Sequence, residues 1–236
     1  MRDLRRRSLQ SEILDDTGVP EPVRECCYRD LARTQRWLGN VRAIVNLIRH
    51  DPQPPNRVLD IGCANGALLR EIRRQFGVEV VGVDLRPPQR QADILILRRD
   101  AIHDNLPQAD VAVSLMLAHH LSEDDIGQLI RNVGRYCRRL ILLDLVRHSI
   151  PLMLFRSFVA PFVNPINVAD GIRSVERAFT PGELRRIVSD ALAGSGATYR
   201  HCVAPFGVRQ IVDIRYSRDP SKVDVEPKYS VPTSRS

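Results

Sequence analysis

The chain has 236 residues, 43% of them hydrophobic and 27% charged, and carries a formal net charge of +7. That length suits one sizeable α/β domain rather than two, and the composition is that of an ordinary globular protein, not of a disordered or fibrous chain. All but two of its 35 basic residues are arginines scattered among acids, which argues against a nucleic-acid role.

The five cysteines (Cys26, Cys27, Cys63, Cys137 and Cys202) form no CxxC pair and no Cys/His cluster with zinc spacing. Neither a disulfide framework nor a metal site is expected, and a reducing, cytoplasmic setting fits. The first twenty residues are polar and charged, unlike a signal peptide.

Residues 1 to about 50 read as a helical, amphipathic N-terminal cap, broken at Gly18-Val19-Pro20-Glu21-Pro22. From Val23 to His50, Leu31, Leu38, Val41, Ile44, Val45 and Ile48 recur at helical spacing, with Trp37 assigned to the same face. Asp51-Pro-Gln-Pro-Pro-Asn56 then stops the helix. Strands are expected at 57–62, 78–84, 93–100, 109–117 and 138–146. A helix is expected at 67–76, and another opens at the Ser122-Glu-Asp-Asp125 capping box and runs to about Tyr136. Strands apolar on both faces and alternating with helices imply a parallel sheet covered on both sides.

The stretch 149–169 is apolar but carries Arg156 and three prolines, so it is a poor membrane span. It suits a lid, plain packing, or a peripheral contact with a membrane. Thr180-Pro-Gly-Glu183 opens a further helix, with Thr180 as cap and Pro181 at its first position. Segments 199–204 and 210–216 read as an antiparallel hairpin. From residue 217 onward the chain reads as a mobile tail.

The stretch VLDIGCANG (58–66) places two glycines, Gly62 and Gly66, between a strand and a helix. Ligands of open parallel sheets bind at such strand ends, where glycine lets backbone approach closely. Asp84 closes the second strand, and an acid there can accept both hydroxyls of a ribose. Asp100 and Ala101 follow the third strand and suit an adenine edge. A plain strand–helix turn and loop-capping aspartates are the bland alternatives.

With these motifs the chain resembles the class I S-adenosylmethionine-dependent methyltransferases, whose first motif, D/E-x-G-x-G-x-G, DIGCANG matches except at Ala64. The resemblance extends through DVAVSLMLAHHL (110–121) and LILLDLVR (140–147) and covers about 56 to 216. It implies a Rossmann-like fold with a seven-stranded, mostly parallel sheet whose last strand is antiparallel. It also implies a methyltransferase domain over 51–216, with a lid-like insertion at about 147–178 after the 1–50 cap. S-adenosyl-L-methionine is the implied cofactor, contacted by Asp60, Gly62, Cys63, Ala64, Gly66, Asp84, Leu85, Asp100, Ala101 and Leu115.

More narrowly, Ile13-Leu14-Asp15-Asp16, DLVRH (144–148) and SVERAFTPGEL (174–184) are similar to a bacterial ubiquinone/menaquinone-biosynthesis-like group, some of it associated with polyketide synthases. The implied activity is O-methylation, or C-methylation, of an apolar aromatic, polyketide- or quinone-like small molecule.

His119 and His120 lie just past the fourth strand and read either as catalytic bases, with His120 preferred, or as packing residues. Arg147, His148 and Phe155 are substrate-binding candidates, with a surface ion pair as the alternative for Arg147. Arg173 and Arg177 flank Glu176 and face either the site or solvent. The N/D-P-P-Y/F signature of nucleic-acid amino-methyltransferases is missing after the fourth strand. The rival readings are a nicotinamide-dependent oxidoreductase, disfavoured by the missing third glycine of its fingerprint, and a non-catalytic binding protein of methyltransferase fold.

Overall fold

The computed structural model describes residues 4–87 and 93–217; the tail expected from 217 onward lies, beyond Ser217, outside the described residues. Seven strands form one sheet: β1 (Arg57–Ile61), β2 (Glu79–Asp84), β3 (Leu95–Arg98), β4 (Ala109–Leu115), β5 (Cys137–Asp144), β6 (Thr198–Val203) and β7 (Gln210–Arg215). Their spatial order is β3-β2-β1-β4-β5-β7-β6. β3 to β5 pair in parallel, whereas β7 runs antiparallel to both β5 and β6. This is the fold that the sequence resemblance implies. The order in which strands are added reverses between β1 and β4, which opens a crevice at the carboxyl ends of those strands.

The apolar positions settle which helix covers which face. α2 (Asn40–Arg49) sets Val41, Ile44, Val45 and Ile48 beside Leu68 and Ile72 of α3 (Ala67–Phe76), against Val58, Val111, Ile141 and Leu143. On the other face, α4 (Glu123–Tyr136) and α7 (Pro181–Leu192) bring Ile126, Leu129, Ile130, Leu184 and Val188 onto Leu59, Ala112, Leu140 and Val212. Both of these helices begin with a complete capping box, Ser122 with Asp125 and Thr180 with Glu183.

The remaining helices gather over the carboxyl edge. They are α1 (Glu21–Trp37), α5 (Ser149–Leu154) and α6 (Pro165–Arg177), with a π turn at Phe155–Val159 and a 3-10 turn at Ile13–Asp15. The stretch expected as one helix from Val23 to His50 is two, because Gly39 adopts φ 74° and redirects the chain. α2 therefore belongs to the sheet layers, and α1 to the cover. Trp37 leaves the apolar face and is 62% exposed, its ring edge against Phe162 at 6.3 Å. Leu117, expected in the fourth strand, lies beyond its end. Among the described residues, no helix is long and apolar enough to cross a membrane.

Candidate active site

The turn from β1 into α3 is made by three left-handed residues, Gly62 (φ 71°), Ala64 (φ 46°) and Gly66 (φ 72°). A Cβ at Gly62 would stand 3.0 Å from Leu117 Cδ1, so space as well as φ demands glycine there. Ala64 has no such relief, and its conformation costs about 1 kcal/mol. Cys63 tucks its thiol under the loop onto Gly82, where an added Cβ would meet Sγ. Burial, reinforced by Asp60 and Asp84, pushes this thiol up and leaves it inert.

Asp84 ties the loop to β2. Its Oδ2 accepts the Ala64 N–H at 2.9 Å and its Oδ1 the Arg86 N–H at 2.8 Å. Each oxygen keeps a second lone pair, and the residue lines a cavity of about 720 Å³. Asp60 lines the same cavity, is 2% exposed, and its carboxylate accepts no hydrogen bond from the described residues. Burial, with the charge of Asp84 nearby, pushes its carboxyl well above the ordinary value. Asp100 also reaches the wall, but its carboxylate is engaged by its own turn, with Ile102 N–H at 2.9 Å and His103 Nδ1 at 3.0 Å.

Cys63, Leu85, Ala101 and Leu115 line the cavity as well, whereas Gly66 caps α3 behind it. Past Met116 and Leu117 the wall becomes apolar: Trp37, Leu154, Phe155, Phe158 and Val159. Gly171 of α6 makes room for the Phe155 ring, since a Cβ there would lie 2.3 Å from it.

The polar end of this chamber is built by His119 and His120 together with acids from the N-terminal turn. His119 is 3% exposed, and Asp144 accepts both its backbone N–H at 2.9 Å and its Nδ1 at 2.7 Å. Burial alone would lower this imidazole, but Asp144 and Glu12 outweigh it and raise it to about 10. Asp144 and Glu12 thus favour the charged imidazole, and the Nδ1 of His119 is taken up by Asp144. His120 is more open and lies between Glu12 Oε2 (3.8 Å) and Asp15 Oδ1 (3.4 Å).

Arg177 crosses behind both histidines, donating to His119 O and His120 O at 3.2 Å and to Asp15 Oδ2 at 3.1 Å. Arg7 donates to His119 O and Leu121 O, each at 2.7 Å. Asp170 of α6 accepts the N–H groups of Ile13 (2.7 Å) and Leu14 (3.0 Å), fixing the turn that carries Glu12 and Asp15. Neither Glu12 nor Asp170 was singled out in the sequence. The available signal was an acid-flanked apolar pair, Ile13-Leu14, in an otherwise charged segment.

Two expected substrate residues lie elsewhere. Arg147 is 4% exposed and turns away from the cavity to Leu4 O (3.1 Å), Ala178 O (2.6 Å) and Glu183 Oε1 (2.5 Å). It satisfies chain ends around α7 rather than a ligand. His148 caps α5, accepting the Ile150 N–H at 3.2 Å through Nδ1. Phe155 alone of the three lines the chamber.

A crevice at the strand ends, a left-handed loop beneath it and acids on its wall define a nucleotide-type site on a Rossmann-like sheet. The family described as "Methyltransferase domain" matches residues 32–169, more than half of the chain, and the protein belongs to that family. None of the curated proteins matches it in sequence.

Among solved structures, the plantazolicin methyltransferase BpumL in complex with SAH is similar at a TM-score of 0.64 and 13% identity, over 85% of this chain and 92% of that one. Human N-acetylserotonin methyltransferase in complex with SAM gives 0.60 and 17%, over 89% and 64%. Magnesium protoporphyrin IX methyltransferase (ChlM) from Synechocystis PCC 6803 with bound SAH gives 0.52 and 17%, over 86% and 91%. At these identities the likeness is one of fold.

Proposed function

We propose that the protein transfers a methyl group from S-adenosylmethionine to an oxygen, or a carbon, of an apolar aromatic, polyketide- or quinone-like small molecule in the cytoplasm. The observation that carries the reading is the carboxylate of Asp60, buried without a partner on the cavity wall beside Asp84. A carboxyl that burial keeps from ionising carries its charge readily only beside a cation, and the ammonium of the cofactor's amino-acid end supplies one. Asp84 has lone pairs left for ribose hydroxyls, and the left-handed loop brings backbone close without side chains. The residues present thus fit the group. Asp100 has one partner from its own turn on each oxygen and, like Asp84, keeps a lone pair on each; Ala101 and Ile102 beside it offer the rest of the adenine edge.

When bound, the cofactor supplies an electrophilic methyl for in-line displacement. The chain's part is to orient the acceptor and exclude water. Phe155, Phe158 and Val159 offer an apolar bed, and His120 with Glu12 offers the polar groups that an acceptor hydroxyl would meet. In this reading α1, the N-terminal turn and the 147–178 insertion enclose the acceptor, and the aromatic rim favours an apolar one. The similarity of Ile13-Leu14-Asp15-Asp16 and SVERAFTPGEL to the quinone-biosynthesis-like group supports the same acceptor class, with a polyketide-type acceptor beside it. Family membership speaks against the nicotinamide reading.

The test is calorimetric titration with S-adenosylhomocysteine beside NADH and NADPH. Micromolar binding of S-adenosylhomocysteine alone is expected, and Asp84→Ala should weaken it about tenfold or more, since a charged hydrogen bond contributes roughly 1.5–3 kcal/mol. Binding of a nicotinamide instead, or unchanged affinity in a folded Asp84→Ala variant, would overturn the assignment.

A further inference from the structure

We infer that Glu12, His119 and His120 form a binding site for one divalent cation of the zinc type at the polar end of the acceptor chamber. The three side chains each offer a ligand atom, and these atoms all lie within 4.8 Å of one another. Glu12 Oε1 stands 3.5 Å from His119 Nε2, and Glu12 Oε2 stands 3.8 Å from His120 Nε2. Both separations exceed the 2.7–3.2 Å of an N–H···O hydrogen bond. They approach the spacing of about 3.4 Å between two ligands held 2.0–2.1 Å from a tetrahedral zinc.

The outer sides of His119 and Glu12 are tight, unlike the inner ones, and the outer side of His120 is looser. His119 Nδ1 is held by Asp144 Oδ1 at 2.7 Å, His120 Nδ1 faces Asp15 Oδ1 at 3.4 Å, and Glu12 Oε1 accepts from the Ser174 hydroxyl at 2.7 Å. A carboxylate behind each imidazole is the outer shell that fixes ring orientation and raises ligand basicity in metal sites. The inner edge therefore leaves a gap where close pairing would be expected, while the outer edge is locked at His119 and Glu12.

Two histidines and one carboxylate are a catalytic rather than a closed structural set, because a further position remains for a small ligand. All three line the chamber, so that position opens onto it. On ligation His119 releases its Nε2 proton to solvent, as a histidine ligand must. An ion here would polarise an acceptor hydroxyl. That use rests on the methyl-transfer reading; the binding itself does not. The spacing of Glu12 from His119-His120 along the chain gives no zinc signature, which is why the sequence predicted no metal.

The experiment is zinc titration of the untagged full chain after chelator treatment, with Co²⁺ as a spectroscopic probe, and S-adenosylhomocysteine titrated on the same samples. One zinc per chain is expected, with a Co²⁺ visible spectrum of low-coordinate type. Glu12→Gln and His120→Ala should each weaken zinc at least about 100-fold, and Asp15→Asn about 10- to 100-fold. Circular dichroism identifies variants that keep the fold, and the Asp15→Asn result stands if another variant fails to fold. No zinc binding, or binding unchanged in folded variants but lost in Cys26→Ser, would overturn the inference. S-adenosylhomocysteine binding without zinc would reject the ion and leave the methyltransferase reading; zinc without S-adenosylhomocysteine would do the reverse.

Discussion

Replacing Asp60 with asparagine should move stability and cofactor affinity in opposite directions. The ligand-free fold holds this carboxyl buried and unpartnered, with its affinity for a proton raised by burial and by Asp84. The unfolded carboxyl titrates near 3.8. Above that pH the unfolded chain has lost the proton while the folded chain still binds it, so stability falls as pH rises until the folded carboxyl has also ionised. Asparagine has a similar shape and no charge to desolvate.

At neutral pH Asp60→Asn should therefore melt higher than the native protein, by about 2–4 °C for each kcal/mol relieved in a chain of this size. The difference should vanish below about pH 4, near the unfolded pKa. With the cofactor the sign reverses, because a charge-assisted hydrogen bond of roughly 1.5–3 kcal/mol is lost, which is about 10- to 150-fold in affinity. Thermal melts across pH and calorimetry with S-adenosylhomocysteine give both numbers. A variant that melts lower at neutral pH, or binds within about twofold of the native chain, would refute the reasoning.

Two further substitutions probe the loop. Ala64→Gly removes a left-handed alanine, and chemical denaturation should show a gain of about 0.5–1 kcal/mol after the added flexibility of the unfolded chain is counted. Gly82→Ala drives a methyl into Cys63 Sγ and should cost about 1–3 kcal/mol; a loss of S-adenosylhomocysteine affinity is also expected, because Cys63 carries the loop.

The sheet was legible because its signals are local. α3, from Ala67 to Phe76, falls where its apolar spacing puts it, and α4 begins at the Ser122 capping box. α6 was missed although Asn164 accepts the Asn167 N–H as a cap and Pro165 occupies its first position. Three prolines in an apolar run read as breakers, and only context shows that one of them starts a helix. The Gly39 break was hidden because helical spacing continues on both sides of it.

Asp60 and Asp84 could be placed at strand ends, but burial without a partner is a tertiary fact. Glu12 is the extreme case: it meets His119 across more than a hundred residues, and no spacing rule reaches that far. Arg147 failed for the converse reason. A charged residue after a strand suggests the site, yet its carbonyl and carboxylate partners lie on the other side.

The tie between the N-terminal turn and α6 also sets an order of assembly. Ile13 and Leu14 leave the ribosome early, but Asp170, which holds both of their N–H groups, is synthesised about 157 residues later. The strands β1 to β5 and the glycine loop are already translated by then. During synthesis the nucleotide half of the crevice can therefore form while the acceptor half stays open, and Glu12 reaches the histidines only after α6 has emerged.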